Sequence, residues 1–399
     1  MTACDRRDRR DRPLRLAPAT IMDYRELARR KLPRQLFDYI DGGAYAENTL
    51  RDNVRALGRI RLRQRVLCDV SNIDLSCEVL GQRLALPVIL APVGLAGMFA
   101  RRAEVQAARA AVQAGITFCE STVSICSLQE VTAAMGCAPW FQLYVMKDRA
   151  YAEQLMQRAT EARCPALVLT VDLPVVGARY RDVQNGIGAE LSALGHARSA
   201  WDLASHARWL WDVPLRGRPL TFGNLTAAVP GARTPAQFRR WVDAQWDATV
   251  TWKDLAWVRE HWRGKLVLKG ILDADDAARA ADAGVDGIVV SNHGGRQLDD
   301  VASTAQALPA IARRVGDRLC VLADGGIRGG LDVLKLLALG AKACLVGRAW
   351  AYAVAGRGEA GVSHVLELLR AELSVAMALT GHKRLGELGE HALEVERRG

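Results

Sequence analysis

Eight short apolar runs between residues 86 and 348 constrain the fold of this chain more than any other feature. They read LPVILAP (86–92), ITFCE (116–120), WFQLYV (140–145) and ALVLTVD (166–172) in the first half. KLVLKG (265–270), GIVVSN (287–292), LCVLAD (319–324) and KACLVGR (342–348) follow. Segments with helical periodicity, such as RAEVQAARAAVQAG, DADDAARAADAG and GGLDVLKLLALG, lie between most of them. Continuous apolar strands alternating with amphipathic helices form a parallel sheet whose outer face is covered. Eight such units predict an α/β fold, a (β/α)8 TIM barrel in preference to an open doubly wound sheet.

Two stretches depart from this rhythm. Ahead of the barrel, Thr20 and Asp23 have capping-box spacing at the start of IMDYRELARRKLPRQLFDYIDGG. Pro33 should split that stretch into two N-terminal helices, and the DGG at 41–43 should close the helical region. The other departure is the long gap after the fourth strand, an insertion at roughly 182–250. Eight of the ten tryptophans fall between Trp201 and Trp262. An insertion here projects from the catalytic end, as a lid, a subunit contact or a membrane-facing patch. The expected organisation is a disordered basic tail (1–18), a barrel domain (19–385) and a C-terminal tail (386–399).

Composition excludes several classes. The net charge of +10 has no nucleic-acid-binding motif beside it, so acidic substrates, a phosphate-bearing cofactor or an anionic membrane surface suit it better. Nine cysteines with no C-x-x-C pair argue against a disulfide framework and a zinc site, and for a reducing compartment. The first residues lack the apolar core of a signal peptide, and no apolar run approaches a membrane span. The expected location is the cytoplasm, or the cytoplasmic face of a membrane as a peripheral protein.

A barrel of this kind carries its active site at the C-terminal ends of the strands. The polar residues there are Ser121, Gln142 and Tyr144, Thr170 and Asp172, Lys269, Ser291 with His293 and Arg296, Asp324 with Arg328, and Gly347 with Arg348. Lys269 closes the fifth strand, where a buried ammonium needs an anionic partner. ADGGIRGG and LVGRA, at the ends of the seventh and eighth strands, sit where barrels bind phosphate through glycine N–H groups and a helix N-terminus. The run SNHGGRQLDD at 291–300 supplies a histidine suited to general-base work, with Asp172 as the carboxylate to orient it. Arg296 and Arg179 are two guanidinium forks suited to a small acid. These residues read as an enzyme with a phosphate-bearing cofactor, a histidine base and an arginine pair, and they do not name the cofactor.

FQLYV, LTVD, LKG, SNHGGRQLD, ADGGIRGG and LVGRA, in this order within a stretch from about residue 20 to 385, resemble the FMN-dependent L-2-hydroxy acid dehydrogenase and oxidase family. FDYIDGGAYAENTLRDN, LAPVGLAGMFARRAEVQAA and PVVGARYRD resemble its bacterial respiratory L-lactate dehydrogenase branch. The resemblance implies FMN. It places Ser121, Gln142, Thr170, Lys269 and Ser291 against the flavin, with the backbone of Pro92, Val93 and Gly94 beneath the ring. Asp324, Gly325, Gly326, Arg328, Gly347 and Arg348 become the ribityl and phosphate cradle. Tyr39, Arg179 and Arg296 would hold the substrate carboxylate, Tyr144 its hydroxyl, and His293 would take a proton with Asp172 in support. It also implies L-lactate or a near neighbour as substrate, Val123 resembling the lactate-type pocket. Quinone is implied as acceptor with oxygen as the alternative, and a homo-oligomer such as a tetramer. Glu120 departs from the family's pattern, standing where its members usually carry an apolar residue, often leucine.

Overall fold

A computed structural model describes residues 17–186, 192–229 and 241–394; the expected N-terminal tail lies almost wholly outside them. All eight expected strands form. They are β3 (Val88–Leu90), β4 (Thr117–Ser121), β5 (Trp140–Tyr144), β6 (Ala166–Thr170), β7 (Lys265–Ile271), β8 (Gly287–Val290), β9 (Cys320–Ala323) and β10 (Ala343–Val346). Each pairs in parallel with its sequence neighbour, and β10 returns to β3 through Leu345 opposite Ile89, closing the barrel. The barrel thus joins its first strand to its last.

Strand alternation sorts the side chains. Ile89, Cys119, Trp140, Val168, Val267, Val289, Leu322 and Leu345 fill the barrel interior. Phe118, Phe141, Leu167, Leu268, Ile288, Val321 and Val346 instead pack against the helical layer. Extending the inward parity to the upper ends of the strands brings Ser121, Gln142, Tyr144, Thr170, Lys269, Ser291, Asp324 and Gly347 to the mouth. A polar ring therefore sits on an apolar plug, and this is the step by which the fold builds the site.

The N-terminal helices behave as their residues predict. Helix α1 (Ile21–Lys31) starts with a reciprocal capping box between Thr20 and Asp23, and α2 (Arg34–Asp41) starts after Pro33. DGG closes this helical region as expected, with Gly42 capping the second helix, and a third helix that the sequence reading did not foresee, α3 (Asn48–Arg59), follows after a turn. The sequence reading also missed an antiparallel hairpin, β1 (Cys77–Val79) and β2 (Gln82–Leu84). Its Val79 and Leu84 join the interior cluster from below, and Gln82 accepts the indole N–H of Trp140, so the hairpin closes the end of the barrel opposite the site. Residues 386–394, expected as tail, pack on the body: Leu393 is buried and its backbone bridges Leu62.

Candidate active site

A cavity of about 840 Å³ opens at the C-terminal ends of the strands. On its walls lie Tyr39, Pro92, Val93, Gly94, Tyr144, Thr170, Arg179, Lys269, His293, Arg296, Asp324, Gly325, Gly326, Arg328, Gly347 and Arg348, most of the residues expected from the sequence. Ser121, Gln142, Ser291 and Asp172 stand one layer behind.

The dyad is the chemical centre. The chain turns back after β8 through three consecutive left-handed residues, His293 (φ 56°), Gly294 (65°) and Gly295 (74°). That turn aims the imidazole across the mouth, where Nδ1 lies 3.0 and 3.2 Å from the two carboxylate oxygens of Asp172. A carboxylate only accepts, so Nδ1 carries the proton and Nε2 keeps its lone pair for the cavity. Burial lowers the His293 pKa, against the opposing pull of Asp172. Burial would raise the Asp172 pKa, but the His293 charge, their hydrogen bond and Lys269 outweigh it and bring it below the ordinary carboxylate value. The resting pair is a neutral base on an ionised carboxylate. Gly270, on the β7 bulge, has φ 113°, and a Cβ there would fall 2.5 Å from the Asp172 Cβ. Only a residue without a side chain lets Asp172 sit in place.

Lys269 forms the cationic floor. Its ammonium lies 3.2 Å from Asp324 and donates to Ser291 Oγ at 3.0 Å. Burial alone would lower its pKa, but Asp324 and Asp172 outweigh it and hold it above the usual lysine value. Ser291 also accepts from the His293 backbone at 3.0 Å. With its hydroxyl committed to these two groups and its side chain fully buried, Ser291 braces the site from behind and is not on the cavity wall.

Ser121, Gln142 and Thr170 form a hydrogen-bonded row across β4, β5 and β6. Ser121 Oγ donates to Gln142 Oε1 at 3.1 Å, and Gln142 Nε2 donates to Thr170 Oγ1 at 3.0 Å. Opposite, Asp324 has one buried carboxylate oxygen with no hydrogen-bond partner. Gly325 and Gly326 follow it with φ of 94° and 82°. An unpaired acceptor beside a glycine turn and two arginines fits a hydroxylated chain ending in phosphate.

Two arginines expected to be free for ligands are partly committed. Arg348 donates to the carbonyls of Ile40, Gly42 and Gly294 at 2.8–2.9 Å. Arg296 Nη1 donates to the carbonyls of Tyr39 and Gly42, and its guanidinium lies 4.9 Å above the Tyr39 ring. Burial and the neighbouring Arg179 charge push the Arg296 pKa down to about 9, which still leaves it protonated at neutral pH. The end of α2 therefore braces both guanidiniums; two of the five N–H groups of Arg348 are spent there and a third on the Gly294 carbonyl. Burial pushes the Tyr144 pKa up, so its phenol stays a hydrogen-bond donor.

Several residues escaped the sequence reading. Gln297 donates to the carbonyls of Asp172 and Val175. Phe222, Val242 and Trp246, from the insertion, line the cavity, and Trp246 meets Tyr144 edge-on at 5.0 Å. A buried glutamine beside HGGR was the one local signal for the first. Nothing local marks the others, whose role comes from a segment returning over the barrel mouth. Among the described residues no group of three or more metal-ligating side chains occurs.

Such a barrel, with a histidine–carboxylate dyad facing a polar ring and a glycine–arginine cradle, defines the class of an enzyme that acts on small acids with a phosphate-bearing cofactor. Residues 28–395 match the FMN-dependent dehydrogenase family, and the chain belongs to it. It is 55% identical over 371 residues to the L-lactate dehydrogenase of Caulobacter vibrioides (strain NA1000 / CB15N), covering 93% of this chain and 96% of that one. It is 52% identical over 375 residues to the L-lactate dehydrogenase of Ectopseudomonas mendocina (strain ymp), covering 94% and 98%. Among solved structures, the monotopic membrane protein (S)-mandelate dehydrogenase superposes with a TM-score of 0.88 at 36% identity, covering 95% of this chain and all of that one.

Proposed function

We propose that this protein oxidises L-lactate to pyruvate with FMN bound in the barrel mouth. The observation that carries the reading is the His293–Asp172 dyad facing the same cavity as Arg179, Arg296, Tyr144 and Lys269. Arg179 and the free N–H groups of Arg296 receive the substrate carboxylate, and the Tyr144 hydroxyl donates to its C2 oxygen. His293 Nε2 takes a proton from the substrate, and Asp172 stabilises the imidazolium that results. The Ser121–Gln142–Thr170 row, Lys269 and the Asp324 to Arg348 cradle hold FMN, which when bound supplies the two-electron acceptor. Lys269, held cationic, favours negative charge at the ring.

The preference for lactate over mandelate rests on 52–55% identity to L-lactate dehydrogenases against 36% to the mandelate enzyme. The acceptor in this reading is a membrane quinone, reached by peripheral contact at the cytoplasmic face. No described helix is long and apolar enough to cross a membrane. The insertion supports surface contact instead. Helix Ala193–Ser205 has no buried residue, and Leu194, Trp201, Trp211 and Leu215 are more than half exposed among the exposed Arg198, Arg208, Arg216 and Arg218. Assembly into a tetramer belongs to the same reading, on the family resemblance.

The test is anaerobic addition of L-lactate while following the flavin absorption band. Bleaching is expected with L-lactate and much more slowly with (S)-mandelate; the reverse order would move the substrate assignment. His293→Gln should keep its FMN and lose the bleaching rate by roughly 10³-fold or more. In the wild type, kcat/KM should fall on acidification along a limb below the ordinary imidazole value, because burial lowers the His293 pKa and protonation removes the base. Rapid oxygen consumption with peroxide release would replace quinone by oxygen as acceptor.

A further inference from the structure

Two residues beyond Arg179 the chain carries a second arginine with a different set of neighbours. Arg181 Nη1 lies 2.9 Å from Asp41 and 3.6 Å from Asp38, and Nη2 lies 2.5 Å from Glu47. The side chains of all three acids are less than 15% exposed, and all lie on α2 or in the turn after it. Around this ion cluster the rest of the segment is also tied down. Asn185 donates to Asp38 at 2.8 Å, and Gln35 donates to the Asn185 carbonyl at 2.7 Å. The Tyr45 backbone donates to the Ala178 carbonyl at 2.7 Å, and the Tyr45 and Tyr180 rings meet edge-on at 5.9 Å. Arg179 itself is lightly held, donating over 3.4 and 3.5 Å to the neutral oxygens of Arg296 and Gln297.

We propose that Arg181 is a positioning residue: by latching the segment 178–185 onto Asp38, Asp41 and Glu47 of the N-terminal helices, it holds Arg179 over the substrate. The inference rests on the reading of Arg179 as a carboxylate ligand. It assigns the two arginines opposite tasks, one facing the cavity and one facing the acids. Arg25 and Arg34 also pair with Asp41 and Asp38, so three carboxylates meet three guanidiniums. Without Arg181 that cluster has an excess of negative charge two residues from a loosely tethered arginine. Arg179 is then drawn outward to Asp41 and Glu47, taking Arg181's place and leaving the substrate carboxylate with Arg296 alone. Lysine restores the charge but not the fork that spans Asp41 and Glu47 together, so it rescues only in part.

The holoenzymes Arg181→Met, Arg181→Lys, Glu47→Gln and Arg179→Met are assayed with L-lactate and a dye acceptor, with oxalate as a carboxylate probe. In Arg181→Met, KM for lactate and Ki for oxalate should rise together by about 30-fold, with kcat within about threefold of the wild type. FMN content and the pH limb of His293 should not move, and Arg181→Lys should recover part of the loss. Glu47→Gln keeps an acceptor for the Gly43 N–H, which Glu47 accepts at 2.9 Å, and removes one charge. It should raise KM by a smaller factor, and it carries the test if Arg181→Met does not fold. Unchanged KM and Ki in both variants, or a fall in kcat or FMN content with KM unmoved, overturns the latch. If Arg179→Met itself leaves KM and Ki unchanged, the carboxylate reading fails first, which separates the two failures.

Discussion

Residue 120 carries a carboxyl group within a fully buried strand, and the strand's parity decides what that does. Cys119 and Ser121 face the barrel interior, so Glu120 faces outward into the helical layer, away from the cavity at the barrel mouth. It is fully buried; one oxygen accepts from Asn224 at 3.2 Å and the other has no partner. Burial drives its pKa well above the ordinary glutamate value, so it is neutral in the folded state. The sign follows from linkage. Above about pH 4.3 the unfolded chain ionises this group and the folded one does not, so its contribution to stability falls by about 1.4 kcal/mol per pH unit until the folded pKa is reached. Glu120→Gln, which keeps the acceptor for Asn224, should therefore raise the melting temperature more at pH 8 than at pH 5.5. Equal shifts at both pH values would mean the carboxyl is already ionised in the fold. The sequence marked Glu120 as unusual, and alternation from Ser121 sets its direction. Its partner lies 104 residues away on the insertion, and no local pattern points there.

Elements were legible in proportion to how locally their residues declare them. All eight barrel strands were visible because a strand buried on both faces is an unbroken apolar run, and their polar tips showed which end holds the site. The helices around Pro33 followed from capping and proline chemistry. The hairpin β1–β2 was not visible, since two three-residue strands carry no period, and its reason for forming is Trp140, far along the chain. The insertion was recognised by its tryptophans, but those residues divide by task. Trp246 reaches the cavity, Trp209 anchors by donating to the Met98 carbonyl at 2.8 Å, and Trp201 and Trp211 stand 77% and 61% exposed. Burying roughly 80 Å² of each exposed ring in a lipid interface contributes about 2 kcal/mol at ~25 cal/mol per Å². Trp201→Ser combined with Trp211→Ser should therefore weaken binding to anionic vesicles by more than about tenfold while leaving dye-linked lactate oxidation intact. Unchanged vesicle binding would assign those rings to a protein contact instead.

Across the whole molecule, the site draws on both ends of the fold. The carbonyls of Tyr39, Ile40 and Gly42 receive Arg296 and Arg348, and β10 closes on β3. A cofactor bound there stabilises the folded state by mass action, about 2.7 kcal/mol at a hundredfold excess over its dissociation constant. Removing FMN should lower the melting temperature, and adding it back should raise it with concentration; a melting temperature indifferent to FMN would mean the mouth does not hold it. The joining of first strand to last also has a consequence for biosynthesis. A ribosome-bound chain that has not yet delivered Arg348 lacks the closing strand pair and one wall of the cavity, however many of its earlier strands have formed. Flavin capture therefore waits for the eighth strand and the turn after it, and a yellow colour certifies that the polypeptide has been built through that point and has closed.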